Sequence, residues 1–219
     1  ATVSGVHADV GIALDGDGDR LVMVDHLGRI ADGDQLLYVI ASDRKRAGTL
    51  QGPVVGTVMS NLGLEQKLQA EGVEFLRAKV GDRYVLAMLK EHGGVLGGET
   101  SGHLLCLDRT TTGDGLVSAL EVLAVMKRTG RPLAELVAGM PKFPQVMINV
   151  RVRERIDPSQ SQVIQDAVKR VEKGLGATGR VVLRASGTEP VIRVMIEAEE
   201  EAVASRYANE LAEVVRTAI

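Results

Sequence analysis

The sequence is poor in cysteine and in aromatic residues. Cys106 is the one cysteine among 219 residues, so an intramolecular disulfide and a zinc site of clustered cysteines are both excluded. Tryptophan is absent, and aromatic residues make up only 2% of the chain. Single-stranded nucleic acids usually stack on aromatic rings, which argues against that class of partner. The hydrophobic core must therefore consist mainly of Val, Leu, Ile and Ala side chains.

The sequence also lacks an excess of charge and a long apolar run. It has 26 Lys and Arg against 29 Asp and Glu, a net charge of −3, which gives no electrostatic footprint for nucleic acid or an anionic membrane. No apolar run approaches the roughly 20 residues of a membrane-spanning helix. The first residues, ATVSGVHADV, lack the basic start and apolar core of a signal peptide. We therefore expect a soluble cytoplasmic protein with no nucleic-acid or membrane partner.

Short apolar strands alternate with helical patterns through residue 140. Asp34 is predicted to cap a helix that runs to about Arg46. After the proline-containing break MPKFPQ, the pattern changes to strands followed by helices. The sequence thus predicts a mixed-sheet α/β domain followed by a small α+β C-terminal domain. The predicted strands include 8–14, 20–25, 53–59, 73–79, 146–152, 179–184 and 191–197, and the predicted helices include 82–92 and 113–130.

The stretch LDGDGDR gathers three carboxylates, those of Asp15, Asp17 and Asp19, within five residues. Alternate residues of a straight strand lie about 6.6 Å apart, too far for one Mg²⁺ ion, which binds oxygens at about 2.0–2.1 Å. Gly16 and Gly18 allow the chain to curl so that the carboxylates converge. The spacing therefore favours a magnesium site, and the alternative is a solvated acidic turn.

A second candidate loop is GGETSGH, residues 97–103. Glu99, Ser101 and His103 alternate along it, so all three are expected to face one side. A carboxylate, a hydroxyl and an imidazole suit the hydroxyl groups of a sugar, because they combine hydrogen-bond acceptors with donors. The alternative is a glycine-rich turn with incidental polar residues.

A third candidate loop is RASGTEPVIR, which joins two predicted strands. Arg184 and Arg193 flank it, and guanidinium groups bind phosphate through paired hydrogen bonds. Ser186 and Thr188 could add hydroxyl donors and Gly187 a backbone N–H. The pattern favours a phosphate site, and the alternative is a polar hairpin with solvated arginines.

Taken together, the three loops resemble the α-D-phosphohexomutase superfamily. Its members carry a metal loop DGDGDR, a sugar loop GExSGH and a phosphate loop SGTEP in the same order, and the resemblance covers essentially the whole chain. It implies an isomerase that transfers a phosphoryl group from an enzyme phosphoserine to a sugar phosphate through a bisphosphate intermediate. The implied roles are Mg²⁺ binding by Asp15, Asp17 and Asp19; sugar binding by Glu99 and Ser101; phosphate binding by Arg184, Ser186, Gly187, Thr188 and Arg193; and catalysis by Arg20, Lys79 and His103.

The resemblance also implies a domain division and a partner. Residues 1–28 would end a metal-binding second domain, 29–140 would form a sugar-binding third domain, and 141–219 a phosphate-binding C-terminal domain. The superfamily's phosphoserine motif, of the type TASHNP, does not occur in the sequence. The reactive serine is thus expected in N-terminal domains of the same enzyme, and this chain alone is expected to be inactive.

Further segments limit the range of substrates that the resemblance implies. TVMSNLGLE, AKVGDRYV, TTGDG and FPQVMINV are similar to the superfamily's subgroup that acts on a hexosamine phosphate. Thr100 stands where that subgroup is expected to carry Gln or Asn, so members acting on mannose or glucose phosphates remain an alternative. Two further alternatives are a haloacid-dehalogenase-like phosphatase with Asp15 as nucleophile, and a non-catalytic sugar-phosphate-binding module. The sequence does not decide whether the protein forms a homo-oligomer.

Overall fold

The computed structural model describes residues 1–153, 157–186 and 189–218. The chain divides into two compact units, Ala1–Pro141 and Lys142–Ile219. Each unit contains its own cluster of buried aliphatic side chains. The expected α/β unit followed by a small α+β unit is confirmed. The finer division at residue 28 stays a prediction.

The first unit opens with a small antiparallel sheet. Helix α1 (Thr2–Gly5) precedes strands β1 (Val10–Leu14), β2 (Leu21–Asp25) and β3 (Ile30–Ala31), which pair in that order. The Asp-rich loop joins β1 to β2, and Leu14 and Leu21 are directly paired at its base. Both strands lie where the sequence predicts them.

The larger sheet of the first unit has the strand order β5-β4-β6-β7. Strands β4, β5 and β6 run parallel, and β7 is antiparallel to β6. The carboxyl ends of the parallel strands therefore meet at one edge, where α/β proteins commonly bind ligands. The elements are α2 (Gly33–Arg46), β4 (Val54–Thr57), α3 (Leu62–Ala70), β5 (Phe75–Ala78), α4 (Asp82–His92), β6 (Leu96–Gly98), β7 (Leu104–Cys106), α5 (Gly115–Thr129) and α6 (Leu133–Val137).

The start of α2 differs from the prediction. Asp32, not Asp34, is the N-cap residue. Its carboxylate accepts the backbone N–H of Gln35 at 3.0 Å, and the Gln35 side chain accepts the backbone N–H of Asp32 at 3.3 Å, which completes a capping box. Asp34 lies inside the first turn and is fully buried. The sequence pattern places both carboxylates near the helix start but does not show which of them turns inward.

The second unit packs two helices on an antiparallel sheet of order β8-β10-β9. Ile192, Val194 and Ile196 alternate along the central strand and are fully buried. Their side chains join the core formed with the helices, as expected for a sheet with one covered face. The elements are β8 (Gln145–Arg151), α7 (Gln162–Leu175), β9 (Gly179–Ala185), β10 (Val191–Ala198) and α8 (Glu201–Thr217). Within the described ranges, no helix is long and apolar enough to cross a membrane.

Loss of the α2 cap should destabilise the chain measurably. We expect Asp32→Ala to lower the free energy of unfolding by about 1 kcal/mol, because it removes the capping box. Asp82→Ala is the matched control, since Asp82 begins α4 but makes no side-chain capping bond there. Urea denaturation followed by circular dichroism measures both, and equal losses in the two variants would contradict the assignment.

Candidate functional site

The carboxyl edge of the larger sheet brings two predicted site segments together. The turn after β5 carries Lys79 and Gly81, and the loop after β6 carries Glu99. The Gly81 backbone N–H donates a hydrogen bond to Glu99 Oε1 at 2.9 Å. Lys79 is exposed, and its Nζ atom lies 5.9 Å from the centre of the Tyr84 ring. The edge therefore places a lysine close to the turn that holds the predicted sugar-binding carboxylate.

The Asp-rich loop curls as its glycines predict. One carboxylate oxygen from each of Asp15, Asp17 and Asp19 lies within 4.8 Å of the others. Gly18 adopts a φ of +74°, and its N–H donates to the Asp15 carbonyl at 3.3 Å, which closes the curl. Hard carboxylate oxygens converging in this way are the donor set that Mg²⁺ prefers.

A guanidinium group and an imidazole ring flank this carboxylate cluster. The Arg20 side chain donates from Nε to Asp15 Oδ2 at 2.6 Å, and its backbone N–H donates to Asp15 Oδ1 at 3.1 Å. Desolvation alone would raise the pKa of Asp15, but these bonds from Arg20 hold that pKa below its usual value. His103 Nδ1 lies 3.2 Å from Asp19 Oδ2. The other oxygen of Asp19 lies 3.6 Å from Arg20 Nε, is buried and accepts no hydrogen bond among the described residues, which fits a site for a cation.

Backbone contacts join this cluster to the sugar loop. The Leu21 N–H donates to the Gly102 carbonyl at 3.0 Å, and Arg20 and His103 form an antiparallel bridge. Gly102 has a φ of +94°, and a Cβ there would lie 2.0 Å from the Leu21 carbonyl oxygen. The close approach of the two loops therefore requires glycine at this position. The structure brings the first two sequence motifs into one site.

The sugar loop is a turn and not the extended segment that alternation predicts. The Gly102 N–H donates to the Glu99 carbonyl at 2.9 Å, so Thr100 and Ser101 are the central residues of a tight turn. Ser101 is exposed, whereas His103 is buried and turned towards Asp19. The expectation that Glu99, Ser101 and His103 share one face by alternation is wrong, because the turn interrupts the alternation.

Asp34 is a residue of this region whose role the sequence does not reveal. Its Oδ2 atom accepts the Asn61 N–H and the Thr100 hydroxyl, both at 2.8 Å. Burial raises the pKa of the Asp34 carboxyl to about 6, against partial lowering by its hydrogen bonds. One signal was available: Asp34 shares the helical face of Leu37 and Ala41, which are buried. A carboxylate in line with buried side chains indicates an interior partner.

The segment TTGDG, residues 111–115, leads into α5 and also borders the site. The sequence indicates its importance only through its similarity to the family. The Gly115 N–H donates to the Gly18 carbonyl of the Asp-rich loop at 2.9 Å. A Cβ at Gly113 would lie 1.9 Å from His103 Nε2. The two glycines therefore allow this segment to close against both the carboxylate cluster and His103.

In the second unit, the predicted phosphate-binding arginines lie side by side. Arg193 on β10 is directly paired with Arg184 on β9. Burial lowers the pKa of Arg184, and the positive charge of Arg193 lowers it further. Like charges directly opposite each other destabilise a sheet unless an anion lies between them. The pair is therefore suited to binding a phosphate group.

The loop beside these arginines is described only in part. Ser186 is buried, its N–H donates to the Val191 carbonyl at 2.8 Å, and its hydroxyl oxygen accepts the Glu189 N–H at 3.3 Å. Arg193 and Glu189 approach to 4.0 Å. Gly187 and Thr188, also predicted to bind phosphate, lie outside the described residues.

Two family models match most of the chain. The chain belongs to the phosphoglucomutase/phosphomannomutase family, since residues 32–143 match its alpha/beta/alpha domain III and residues 147–214 match its C-terminal domain. The resemblance read from the motifs is thus confirmed. The alternative of a haloacid-dehalogenase-like phosphatase is wrong, because the matched domains are those of a different family.

Curated relatives include phosphoglucosamine mutases. The enzyme of Methylococcus capsulatus is 57% identical over 217 residues, which is 99% of this chain and 48% of that protein. The enzyme of Alkalilimnicola ehrlichii is 58% identical over 211 residues, 96% of this chain and 47% of that protein. The chain thus spans about half the length of the curated relatives it matches.

Solved structures share the fold at lower identity. Aspergillus fumigatus N-acetylphosphoglucosamine mutase superposes with a TM-score of 0.81 at 20% identity, over 96% of this chain and 48% of that one. A phosphoglucomutase/phosphomannomutase family protein of Burkholderia thailandensis gives a TM-score of 0.80 at 24% identity, over 99% of this chain and 48% of that one. At these identities the likeness concerns the fold alone.

The raised pKa of Asp34 predicts a specific dependence of stability on pH. The carboxyl has a pKa near 3.8 when unfolded and about 6 when folded, so the folded state holds the proton more tightly. The protonated Asp34 carboxyl therefore contributes to the free energy of unfolding in full below pH 4. This contribution, about 3 kcal/mol at most, is lost as the pH rises through about 6. Asp34→Asn should abolish this contribution.

Urea unfolding of both proteins at several pH values between 4 and 7 measures the difference. The lowered pKa values of Asp15, Asp25 and Glu71 act in the opposite sense, but they are common to both proteins and cancel in the comparison. Stabilities of wild type and Asp34→Asn that change in parallel over this range would contradict the prediction.

Proposed function

We propose that this chain is part of a phosphoglucosamine mutase, an isomerase that interconverts glucosamine 6-phosphate and glucosamine 1-phosphate. The reaction would pass through an enzyme phosphoserine and a bisphosphate intermediate. The identity of 57–58% to phosphoglucosamine mutases supports the amino sugar as substrate. The main structural support for a mutase site is that the Asp-rich loop and the sugar loop contact each other. His103 contacts Asp19 and forms a backbone bridge with Arg20. Phosphomannomutase or phosphoglucomutase activity is the second candidate, because the matched family includes both.

Asp15, Asp17 and Asp19 are proposed to hold Mg²⁺. Their convergence and the unsatisfied Asp19 oxygen support this role. An Aspergillus fumigatus N-acetylphosphoglucosamine mutase of the same fold has been crystallised with GlcNAc-6P and magnesium. Bound Mg²⁺ would neutralise negative charge on the transferring phosphoryl group.

The remaining residues of the first unit would position the sugar. Glu99 and the exposed Ser101 are proposed to bind sugar hydroxyls, since they lie on the turn beside the carboxylate cluster. Arg20 and Lys79 would supply positive charge near the reacting phosphate. His103, through its contact with Asp19, would fix the metal loop relative to the sugar loop.

The second unit is proposed to bind the phosphate that does not react. Arg184 and Arg193 would bind it between their guanidinium groups, which relieves the repulsion between them. Ser186, Gly187 and Thr188 would complete this phosphate site. In the same scheme residues 1–28 belong to a metal-binding domain, and N-terminal domains outside this chain supply the reactive serine.

The division of labour between this chain and the N-terminal domains can be tested directly. We expect the 219-residue chain, with glucosamine 6-phosphate and Mg²⁺, to show no turnover. Fusion to the N-terminal half of the Methylococcus capsulatus enzyme should restore it, and Asp17→Asn in that fusion should lower kcat by about 100-fold or more. Asp166→Asn, at an exposed position of α7 in the second unit, is the control and should leave kcat unchanged.

The result separates the alternatives. Turnover by the chain alone would contradict the need for an external serine. A fusion that isomerises mannose or glucose phosphates but not glucosamine phosphate would favour the second candidate. A fusion that binds sugar phosphate without turning it over would favour a non-catalytic binding module.

If the second unit binds the substrate phosphate, loss of one of its arginines should raise the KM. Arg193→Ala in the fused enzyme should raise the KM for glucosamine 6-phosphate by about tenfold or more, because a charge-assisted contact to the substrate is lost. Arg170→Ala removes an exposed arginine from α7 and is the matched control. An unchanged KM in Arg193→Ala would argue against phosphate binding at this pair.

A further inference from the structure

We propose that Asp34 is a positioning residue for the sugar loop and that Thr100 is its partner. On this view residue 100 affects sugar recognition without touching the sugar, because its hydroxyl is bound to a buried carboxylate. The inference rests on the proposed function, in which Glu99 and Ser101 bind the sugar. It assigns a role in that function to a carboxylate that makes no contact with the metal or phosphate sites described above.

The Asp34 carboxylate connects segments that are distant in sequence. It belongs to the first turn of α2, is fully buried, and accepts through one oxygen the Thr100 hydroxyl and the Asn61 N–H, both at 2.8 Å. Asn61 is the N-cap residue of α3. Asp34 therefore ties the sugar loop to the starts of two helices that pack against the sheet.

Backbone contacts hold the same turn at a second point. The Gly33 N–H donates to the Thr100 carbonyl at 3.1 Å. A Cβ at Gly33 would lie 2.0 Å from the Glu99 carbonyl oxygen and 2.7 Å from the Gly102 nitrogen. The first turn of α2 thus packs directly on the backbone of the sugar loop, and Thr100 is held through both its hydroxyl and its carbonyl.

Anchoring Thr100 determines where its neighbours project. Thr100 and Ser101 are the central residues of the turn closed by the Gly102 N–H and the Glu99 carbonyl. Rotation of this turn would move Ser101 and would break the bond between the Gly81 N–H and Glu99 Oε1. The hydroxyl of Thr100 therefore preorganises two proposed sugar-binding side chains, which reduces the ordering cost of binding.

The test compares Thr100→Val, Thr100→Ser and Thr129→Val in the 219-residue chain. Valine keeps the shape of threonine but removes the hydroxyl, and serine restores it. Thr129 is a matched control, since it is also half-buried in the first unit and its hydroxyl donates within α5. Amide hydrogen exchange by NMR at Gly33, Gly81 and Gly102 reports the loop directly.

In Thr100→Val, we expect exchange at Gly33, Gly81 and Gly102 to accelerate by about tenfold, because the local opening of the turn becomes easier. Thr100→Ser should stay within about twofold of wild type, and Thr129→Val should not change these amides. Exchange at the three glycines that is unchanged in Thr100→Val would overturn the proposal.

A second readout separates loop positioning from overall stability. In an NMR titration with glucosamine 6-phosphate, Thr100→Val should bind the sugar phosphate at least about fivefold more weakly than wild type does. Thr100→Ser should recover the wild-type affinity. Weakening of the same size in Thr129→Val would assign the effect to general destabilisation and overturn the proposal. If exchange responds as expected but wild type binds no sugar phosphate, the anchoring stands and the sugar-binding role of the loop fails.

A variant of Asp34 itself tests the acceptor. Asp34→Asn keeps a carbonyl oxygen for Thr100 and Asn61, whereas Asp34→Ala removes the acceptor they share. We expect the amides of Gly33 and Gly102 to exchange about tenfold more slowly in Asp34→Asn than in Asp34→Ala. Equal exchange in the two variants would contradict a role for the carboxylate oxygen, and the Thr100 series decides the question if Asp34→Ala does not fold.

Discussion

Asp15, Asp17 and Asp19 place carboxylate oxygens within 4.8 Å of one another, and the positive charge of Arg20 offsets part of the resulting repulsion. Arg20 binds Asp15 and His103 contacts Asp19. The same two residues form the backbone bridge that joins the Asp-rich loop to the sugar loop. Charge neutralisation and loop placement therefore depend on one set of contacts, and the remaining site residues are arranged around it.

The two units are suited to binding different chemical groups. In the first unit, parallel strands end at a common edge, and each following turn contributes polar groups while α2 packs beneath the sugar loop. In the second unit, an antiparallel hairpin places Arg184 and Arg193 opposite each other. The first arrangement suits a metal ion and sugar hydroxyls, and the second suits a compact, doubly charged phosphate group.

Features that depend on neighbouring residues could be predicted from the sequence. The bounds of α4 at Asp82–His92 follow from its apolar periodicity, and the curl of the Asp-rich loop follows from its glycines. Long-range contacts could not be predicted. The turn at 99–102 depends on the approach of Leu21, and the burial of Asp34 depends on Thr100, 66 residues away. An alternating polar pattern is compatible with both a strand and a turn, so the sequence alone does not distinguish them.

The contact between His103 and Asp19 has a thermodynamic consequence. Asp19 belongs to the cluster suited to a cation, and His103 follows the turn suited to a sugar. Under the proposed function, a cation that draws the Asp19 carboxylate towards itself would change the free energy of holding His103, and hence that of the turn. Linkage then requires that a sugar bound at the turn alter the affinity for the cation by the same factor. Cation and sugar are thus expected to act as mutual effectors, and the contact between Asp19 and His103 would couple them alongside the backbone bridge between the same two loops.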